Sequence, residues 1–257
     1  GFVEQKDYQA ILPAIQKAHN DLENKTGKGS AFTGWIDLPS RMEDSFLDEL
    51  VEFGKKVREN SDCLMSIGIG GSYVGIHATL EFLIAEQKIP VHFAGQDLSS
   101  NYLYYLLKGL ENKRITVVVI SKSGMTTEPA LAFRVIKKFM QEQYSAEELK
   151  KRIICITDPH EGALRAIARK SGYHTFPIDG NIGGRFSILT AAGLVPLAIA
   201  GIDIRGLIQG ARAAQRYCSR MDLETNIAYQ YAAARFLLYK QGKTIEVLST
   251  FYQRLAL

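Results

Sequence analysis

The chain has 257 residues, of which 31 are Lys or Arg and 27 are Asp or Glu, so its formal net charge is +4. This length is enough for one large domain or two modest domains with a substantial core. The basic residues form neither a run nor a stripe interleaved with aromatic side chains, which argues against a nucleic-acid-binding protein.

Cysteine spacing and the length of the apolar runs argue against a disulfide-bonded, zinc-binding or membrane-spanning protein. Cys63, Cys155 and Cys218 are odd in number and lack Cys-x-x-Cys spacing, which favours reduced, structural thiols over disulfides or a zinc site. The longest apolar stretch, Ile188 to Ile202, is too short and too interrupted by glycine and proline to span a membrane. With no secretory signal at the start, the sequence predicts a cytoplasmic protein without a membrane segment.

We predict that residues 1–42 form an N-terminal helix and an arm. One face of an amphipathic helix is indicated by the helical spacing of Tyr8, Leu12, Ile15 and His19. A glycine-rich loop and an irregular arm over residues 32–40 are expected to follow. A second helix is predicted from Met42 to Glu59, and the residues expected to be buried on it are Phe46, Leu50, Phe53 and Val57.

A first buried strand is predicted to begin at Cys63 and to end in the glycine-rich segment Gly68–Ser72. Ser72 is positioned to cap a helix whose apolar stripe consists of Ile76, Leu80, Leu83 and Ile84. The segment does not match the dinucleotide-binding pattern G-x-G-x-x-G, because Tyr73 occupies the place of the third glycine. We therefore expect no nucleotide cofactor.

After a short strand over residues 91–94 and a helix marked by three leucines, the chain reaches the buried strand Val117–Ile120. The loop Ser121–Thr126 follows, and then a helix with Pro129 in its first turn and the apolar stripe Leu131, Val135 and Phe139. A helix N-terminus carries unpaired N–H groups and partial positive charge. Gly124 allows an anion to approach the backbone, and the hydroxyl donors are Ser121, Ser123 and Thr126. The loop thus predicts a phosphate site, although the same residues suit a plain helix cap and turn.

Further strands are predicted over residues 153–157 and 174–178, with a helix between them marked by Leu164, Ile167 and Ala168. Strands alternating with helices indicate an α/β fold, a three-layer α-β-α sandwich with a mainly parallel sheet. Both glycine-serine loops then lie at the carboxyl ends of strands, where ligands gather in such sheets.

A glycine turn with Arg185 follows the last strand of this sheet. Arg185 is expected either to pair with a nearby carboxylate or to stabilise oxyanion charge on a substrate in the same cleft. From Ser187 the chain reads as helical near residues 187–199, 204–217 and 225–239, and Lys243 to Leu248 is expected to start another strand. The histidines lack His-x-x-x-His spacing and there is no carboxylate cluster, so we expect no metal site.

Three segments together carry a family resemblance. Gly68-Ile69-Gly70-Gly71-Ser72 and Ser121-Lys122-Ser123-Gly124-Met125-Thr126 resemble the two phosphosugar loops of sugar isomerase (SIS) domains. Asn181-Ile182-Gly183-Gly184-Arg185-Phe186-Ser187 resembles a signature segment of the glucose-6-phosphate isomerase, or phosphoglucose isomerase, family. The resemblance runs from about Trp35 onward and fits the short bacterial branch of that family.

The resemblance implies an aldose-ketose isomerase that interconverts glucose 6-phosphate and fructose 6-phosphate through an enediol, without metal or cofactor. It assigns the sugar's phosphate to Ser121, Ser123, Thr126 and the Lys122 backbone. The sugar end is assigned to Gly71, Ser72, Gly184 and Arg185, with Arg185 also stabilising the enediolate. The implied assembly is a homodimer with its sites near the subunit interface.

One departure concerns catalysis. The family's glutamate base, ring-opening histidine and late lysine match no residue of this chain. We therefore expect residues 43–200 to form the first SIS domain and residues 201–257 to form connecting helices and the start of a second, with the rest of the chain absent. Such a chain is expected to bind sugar phosphate but to be inactive alone. The alternatives are a regulatory SIS module that senses a phosphosugar and an aminosugar-phosphate isomerase.

Overall fold

The computed structural model describes residues 2–251. The helices, in chain order, are α1 (Gln5–Glu23), α2 (Leu38–Arg41), α3 (Asp44–Glu59), α4 (Val74–Phe82), α5 (Ser100–Gly109), α6 (Thr127–Gln141), α7 (Ala146–Arg152), α8 (Ala163–Ser171), α9 (Ala191–Ala200), α10 (Ile204–Cys218) and α11 (Ile227–Lys240). The strands are β1 (Cys63–Ile67), β2 (Val91–Ala94), β3 (Ile115–Ile120), β4 (Ile153–Thr157) and β5 (His174–Pro177). The chain divides into two compact units, Met42–Gly206 and the combination of Gly1–Arg41 with Leu207–Leu257.

The larger unit is built on one five-stranded sheet in the order β2-β1-β3-β4-β5, and every neighbouring pair is parallel. Strand β3 is buried along its whole length, as expected of a β-branched run at the centre of a sheet covered on both faces. Met65 and Ile67 of β1 share one apolar cluster with residues of α5, α6, α7 and α8. On the opposite face α9 contacts β1, and the ring of Phe53 in α3 packs edge-on against Phe176 in β5. The predicted three-layer α/β architecture is confirmed.

The buried face of α6 differs from the predicted one. Leu131 and Val135 are 45% and 47% exposed, and Phe139 is partly buried. The residues of α6 that enter the core are Pro129, Ala132, Phe133, Ile136 and Met140. Helix α6 carries two apolar stripes at helical spacing, so periodicity alone does not select the buried one. Packing against β1 and β3 selects the stripe with Phe133, Ile136 and Met140.

Helix α3 is also rotated relative to the prediction. Leu50 is buried as expected, but Leu47 and Gly54 are buried beside it, while Phe46, Phe53 and Val57 are only half-buried. The reason is the close approach of α9, since a Cβ atom on Gly54 would lie 2.5 Å from the Ala198 carbonyl oxygen. The helix therefore turns its glycine, and not a phenylalanine, toward its neighbour.

Several predicted boundaries are wrong. Ser72 does not cap α4, because residues 70–72 form a separate 3₁₀ turn and the helix begins at Val74. Residues 184–189 form another 3₁₀ segment, so the helix predicted from residue 187 starts only at Ala191. Ile84 also lies in its own 3₁₀ turn and is exposed.

Two further differences concern missing and unexpected elements. Helix α7 was not predicted, although a capping box formed by Ser145 and Glu148 marks its start. The strand expected over Lys243–Leu248 is absent from the described residues, where Ile245 and Val247 are each 85% exposed. An isolated strand has no partner for its N–H and C=O groups, so alternating apolar residues alone do not form one.

The smaller unit pairs α1 with α11, and His19 Nδ1 of α1 lies 2.7 Å from the Tyr229 hydroxyl of α11. In the same unit Arg212 donates a hydrogen bond from Nε to the Pro39 carbonyl oxygen at 2.9 Å. Within residues 2–251, no helix is both long and apolar enough to cross a membrane.

Candidate functional site

The candidate site lies where the strand order reverses. The chain passes from β1 outward to β2 and then returns to β3 on the other side of β1. In doubly wound sheets, ligands bind beyond the carboxyl ends of the strands at such a switch point. The glycine loop (Gly68–Ser72) follows β1, and the serine loop (Ser121–Thr126) follows β3. Both predicted loops therefore flank this crevice.

Two of the three hydroxyls in the serine loop brace the loop itself. Ser121 Oγ accepts a hydrogen bond from Gly124 N at 3.0 Å, and Ser123 Oγ accepts one from Met125 N at 3.1 Å. Thr126 occupies the N-cap position of α6, yet its side chain makes no capping hydrogen bond. Its exposed hydroxyl and the first N–H groups of α6 thus point to an anion-binding end, as a helix N-terminus leaves such donors without intrahelical partners.

Strand β4 and helix α8 hold the backbone of the serine loop. The Lys122 carbonyl oxygen accepts hydrogen bonds from Asp158 N at 3.3 Å and from Thr157 Oγ1 at 3.1 Å. The Ser123 carbonyl oxygen accepts one from Ala163 N at 2.9 Å. Gly124 has φ +71°, and a Cβ atom there would lie 2.2 Å from Leu164 N. These contacts fix the shape of the loop, and only glycine can occupy position 124 in it without strain or overlap.

The glycine loop is joined to the arginine loop (Asp179–Ser187). A Cβ atom on Gly71 would lie 2.0 Å from the Gly184 carbonyl oxygen, so the two backbones are in direct contact. Ser187 Oγ lies 3.1 Å from the Gly71 carbonyl oxygen and 2.8 Å from that of Gly184, and its hydroxyl donates across the junction. Sequence reasoning assigned no role to Ser187, although it belongs to the signature segment. Ser72 is half-buried beside this junction.

Arg185 is exposed, and its guanidinium makes no hydrogen bond or ion pair with any described residue. The alternative in which Arg185 pairs with a carboxylate is therefore not observed in the described part of the chain. Lys122 Nζ lies 3.4 Å from the Gly180 carbonyl oxygen, a long contact that links the serine loop to the arginine loop. The structure thus brings all three predicted loops to one edge of the sheet.

Asp158, Cys63 and Cys155 are among the groups of the sheet and its loops whose pKa values are shifted, and none of the three is suited to proton transfer near neutral pH. Backbone N–H groups of His160 and Glu161 hold the pKa of the Asp158 carboxyl below its usual range, so Asp158 stays charged and closes a turn. Burial raises the pKa of the Cys63 thiol to about 11 and that of Cys155 to about 12, so neither supplies a thiolate near neutral pH. Among residues 2–251, no group of histidine, cysteine and acidic side chains is arranged to hold a metal ion.

Tyr73, next to Ser72, is a neighbour of the site, although in the sequence it served only to exclude the dinucleotide-binding pattern. Its ring stacks on His77 with centroids 5.3 Å apart, and its hydroxyl lies 3.3 Å from His77 Nδ1. Phe93 packs edge-on against both rings. Burial raises the pKa of the Tyr73 hydroxyl, so it remains protonated. The aromatic cluster supports the end of the glycine loop, and the i, i+4 spacing of Tyr73 and His77 was its only signal in the sequence.

Residues 48–256 match the sequence model of a family described as phosphoglucose isomerase. The chain belongs to the phosphoglucose isomerase family. Two curated relatives carry the name glucose-6-phosphate isomerase. The protein from Clostridioides difficile (strain 630) is 43% identical over 264 residues, which cover 99% of this chain and 59% of that protein. The protein from Listeria monocytogenes serotype 4b (strain F2365) is 44% identical over 260 residues, covering 97% of this chain and 58% of that protein.

Two solved structures share the fold of this chain. A hypothetical protein from Thermus thermophilus superposes with a TM-score of 0.80 at 31% identity, covering 91% of this chain and 54% of that one. A glucose-6-phosphate isomerase from Chlamydia trachomatis shares the fold, with a TM-score of 0.73 at 19% identity over 93% of this chain and 51% of that one. The chain spans 58–59% of the length of the two curated relatives.

Proposed function

We propose that the protein containing this chain interconverts glucose 6-phosphate and fructose 6-phosphate, and that this chain supplies the phosphate site and the enediolate-stabilising arginine. The observation that carries the proposal is the meeting of the serine loop, the glycine loop and an unpaired Arg185 at one edge of the sheet. In this proposal residues 43–200 are the first SIS domain, and residues 201–257 are connecting helices and the start of a second.

The phosphate binds at the N-terminus of α6. The Thr126 hydroxyl and the N–H groups of the first turn donate to its oxygens, and the helix dipole favours its negative charge. Ser121, Ser123 and the Lys122 backbone complete the cradle. Because Ser121 and Ser123 already accept hydrogen bonds from the loop, their own hydroxyl protons are free to point at the phosphate.

The sugar end lies against Gly71, Ser72, Gly184 and Arg185. Gly71 and Gly184 bring two backbones together without side chains, which leaves room for a polyol beside them. When a proton leaves C2, negative charge develops on the enediolate oxygens, and the Arg185 guanidinium stabilises it. A fixed cation at this position lowers the barrier only if it interacts more strongly with the enediolate than with the neutral sugar.

A general base works best when its pKa lies near the operating pH. Asp158 does not suit that role because two backbone N–H groups lower its pKa. We therefore propose that the glutamate base, the ring-opening histidine and the assisting lysine belong to the part of the longer relatives that this chain does not match. The chain alone then binds sugar phosphate without turning it over.

The same proposal covers the cellular setting. The enzyme is a cytoplasmic homodimer of glycolysis and gluconeogenesis that needs no metal or nucleotide. The experiment that follows distinguishes this function from two alternatives. One is a regulatory module that senses a phosphosugar, and the other is an aminosugar-phosphate isomerase.

The test is conversion of fructose 6-phosphate to glucose 6-phosphate by the complete gene product. Loss of one oxyanion-stabilising donor typically lowers kcat by about 10²–10³, so we expect Arg185→Ala to lower kcat by that factor. Ser123→Ala/Thr126→Ala is expected to raise KM by at least about tenfold with a smaller effect on kcat. Arg169→Ala, an exposed arginine on α8, is the matched control and should leave both constants unchanged.

The result decides between the functions. If kcat is unchanged in Arg185→Ala, this arginine does not stabilise the enediolate. A folded, complete protein that binds fructose 6-phosphate without converting it supports the regulatory module instead. Conversion of an aminosugar phosphate in preference to fructose 6-phosphate supports an aminosugar-phosphate isomerase.

A further inference from the structure

A cavity of about 310 Å³ lies between α6 and α8, beside the serine loop. Its buried part is apolar and includes Val119, Phe133 and Leu164, each of which is at most 6% exposed. Arg134 and Lys137 of α6 line the same cavity, with Arg134 exposed and Lys137 half-buried. The cavity therefore combines an apolar floor with two cationic groups on its solvent side.

The two cations lack an acidic counterpart there. Among the described residues that line the cavity, none is a carboxylate. Arg134 has no hydrogen bond or ion pair to the part of the chain that the structure describes, and Lys137 Nζ lies 5.8 Å from the centroid of the Tyr173 ring. Like charges three residues apart on one helix repel each other. A bound anion would remove that repulsion and give Arg134 a partner.

We propose that this cavity binds a small organic anion with an apolar body, such as an aromatic carboxylate. Small-molecule sites commonly have volumes of about 300–1,000 Å³, mostly apolar walls and a few polar groups that orient the ligand. The ring of the ligand lies on Val119, Phe133 and Leu164, and its carboxylate lies between Arg134 and Lys137. A sugar phosphate does not fit this floor, because its hydroxyls would be buried without hydrogen-bond partners.

The occupant would contact the serine loop directly. Ser121 and Gly124 line the cavity together with Ala163 and Leu164 of α8. Ala163 N donates to the Ser123 carbonyl oxygen at 2.9 Å, so these residues also form the junction that holds the loop. Binding of a ligand in the cavity should therefore shift the NMR signals of the Gly124 and Leu164 backbone amides. Ser121 also belongs to the proposed phosphate cradle and Ala130 lies in the first turn of α6, so the cavity adjoins the end of α6 where the sugar phosphate is proposed to bind.

The probe is 2-naphthoate, titrated into the ¹⁵N-labelled 257-residue chain, with the neutral analogue 2-naphthalenemethanol as the comparison. We expect saturable shifts of the Gly124, Phe133 and Leu164 amides. A charge-assisted contact made only by the anion predicts that 2-naphthoate binds about tenfold more tightly than the neutral analogue. The readout is binding alone, so failure of the proposed isomerase activity leaves this test unaffected.

Variants assign the effect to the cavity. Arg134→Gln/Lys137→Gln should abolish the tenfold preference, and Ala130→Trp should fill the cavity and block both probes. Lys138→Gln removes an exposed charge of the same helix that does not line the cavity, and should change nothing. Arg134 is exposed and unpaired, so its replacement does not endanger folding.

Three outcomes overturn the proposal. One is the absence of saturable shifts at Gly124, Phe133 and Leu164 at millimolar probe. Another is equal affinity for the two naphthalenes. The last is a response confined to residues 11–22 and 229–236, where an apolar groove between α1 and α11 would be the site of binding instead.

Discussion

Gly124 is the residue on which the geometry of the serine loop depends most directly. Its φ of +71° lies in the left-handed region, and α8 packs against it from the side where a Cβ atom would project. In Gly124→Ala the new methyl carbon would lie 2.2 Å from Leu164 N and 2.9 Å from Leu164 Cα. These are backbone atoms, so no side-chain rotation relieves the overlap.

The cost has two parts. A left-handed backbone costs an alanine about 1–2 kcal/mol. Overpacking against fixed neighbours adds about 1–3 kcal/mol, so the free energy of unfolding should fall by about 2–5 kcal/mol, with a central value of about 3.5 kcal/mol. A domain of this size loses about 2–4 °C in Tm per kcal/mol, so at that central value Gly124→Ala should unfold about 7–14 °C below the parent protein.

Thermal unfolding followed by circular dichroism measures this, and two other glycines separate the contributions. Gly70 has φ +56° with nothing within 4 Å of its Cβ position, so Gly70→Ala carries the strain alone, about 1–2 kcal/mol. Gly180 has neither strain nor a neighbour within 4 Å, and Gly180→Ala should stay within about 0.5 kcal/mol of the parent. If Gly124→Ala and Gly70→Ala unfold at the same temperature, the contact with α8 does not hold the loop and the reasoning fails.

Three further predictions concern two residues of the larger unit and one thiol of the smaller unit. Arg58 donates from its guanidinium to the Ala198 and Ile199 carbonyl oxygens at the end of α9, so Arg58→Ala should lower the free energy of unfolding in urea by about 1.5–3 kcal/mol. Burial lowers the pKa of His92 below its ordinary value, so the unfolded chain binds more protons near pH 6 and Tm should fall as the pH drops from 7 to 5. In the native chain Cys218, which is half-buried, should react with iodoacetamide well before Cys63 and Cys155, as read by mass spectrometry of digested protein.

Each of these predictions has its own control. Arg58→Lys keeps the charge but loses the paired donors, and should recover only part of the stability. His92→Phe removes the titrating group, so the fall in Tm toward pH 5 should become shallower; an unchanged slope would assign it to other groups. In urea all three thiols should react alike, and rapid alkylation of Cys155 without denaturant would contradict its burial at the centre of the sheet.

The sequence by itself determined the order of the strands of the larger unit and of all its helices except α7, because period-2 and period-3.6 apolar patterns depend only on residues close in the chain. It also placed the glycine, serine and arginine loops after strands, and since parallel strands end at one edge, that placement brought the loops to the same side of the sheet. The family resemblance rested on these same segments.

The tertiary structure decided what those patterns left open. Packing against the sheet determines which apolar stripe of α6 is buried, and the close approach of α9 places Gly54 of α3 at their contact. Residues 243–248 have no strand partner in the described part of the chain. The tertiary structure also brought Gly71 against Gly184, more than a hundred residues away in the chain, and showed that Ser121 and Ser123 brace their own loop. Such contacts depend on the simultaneous packing of several elements against one sheet, and no local pattern in the sequence encodes them.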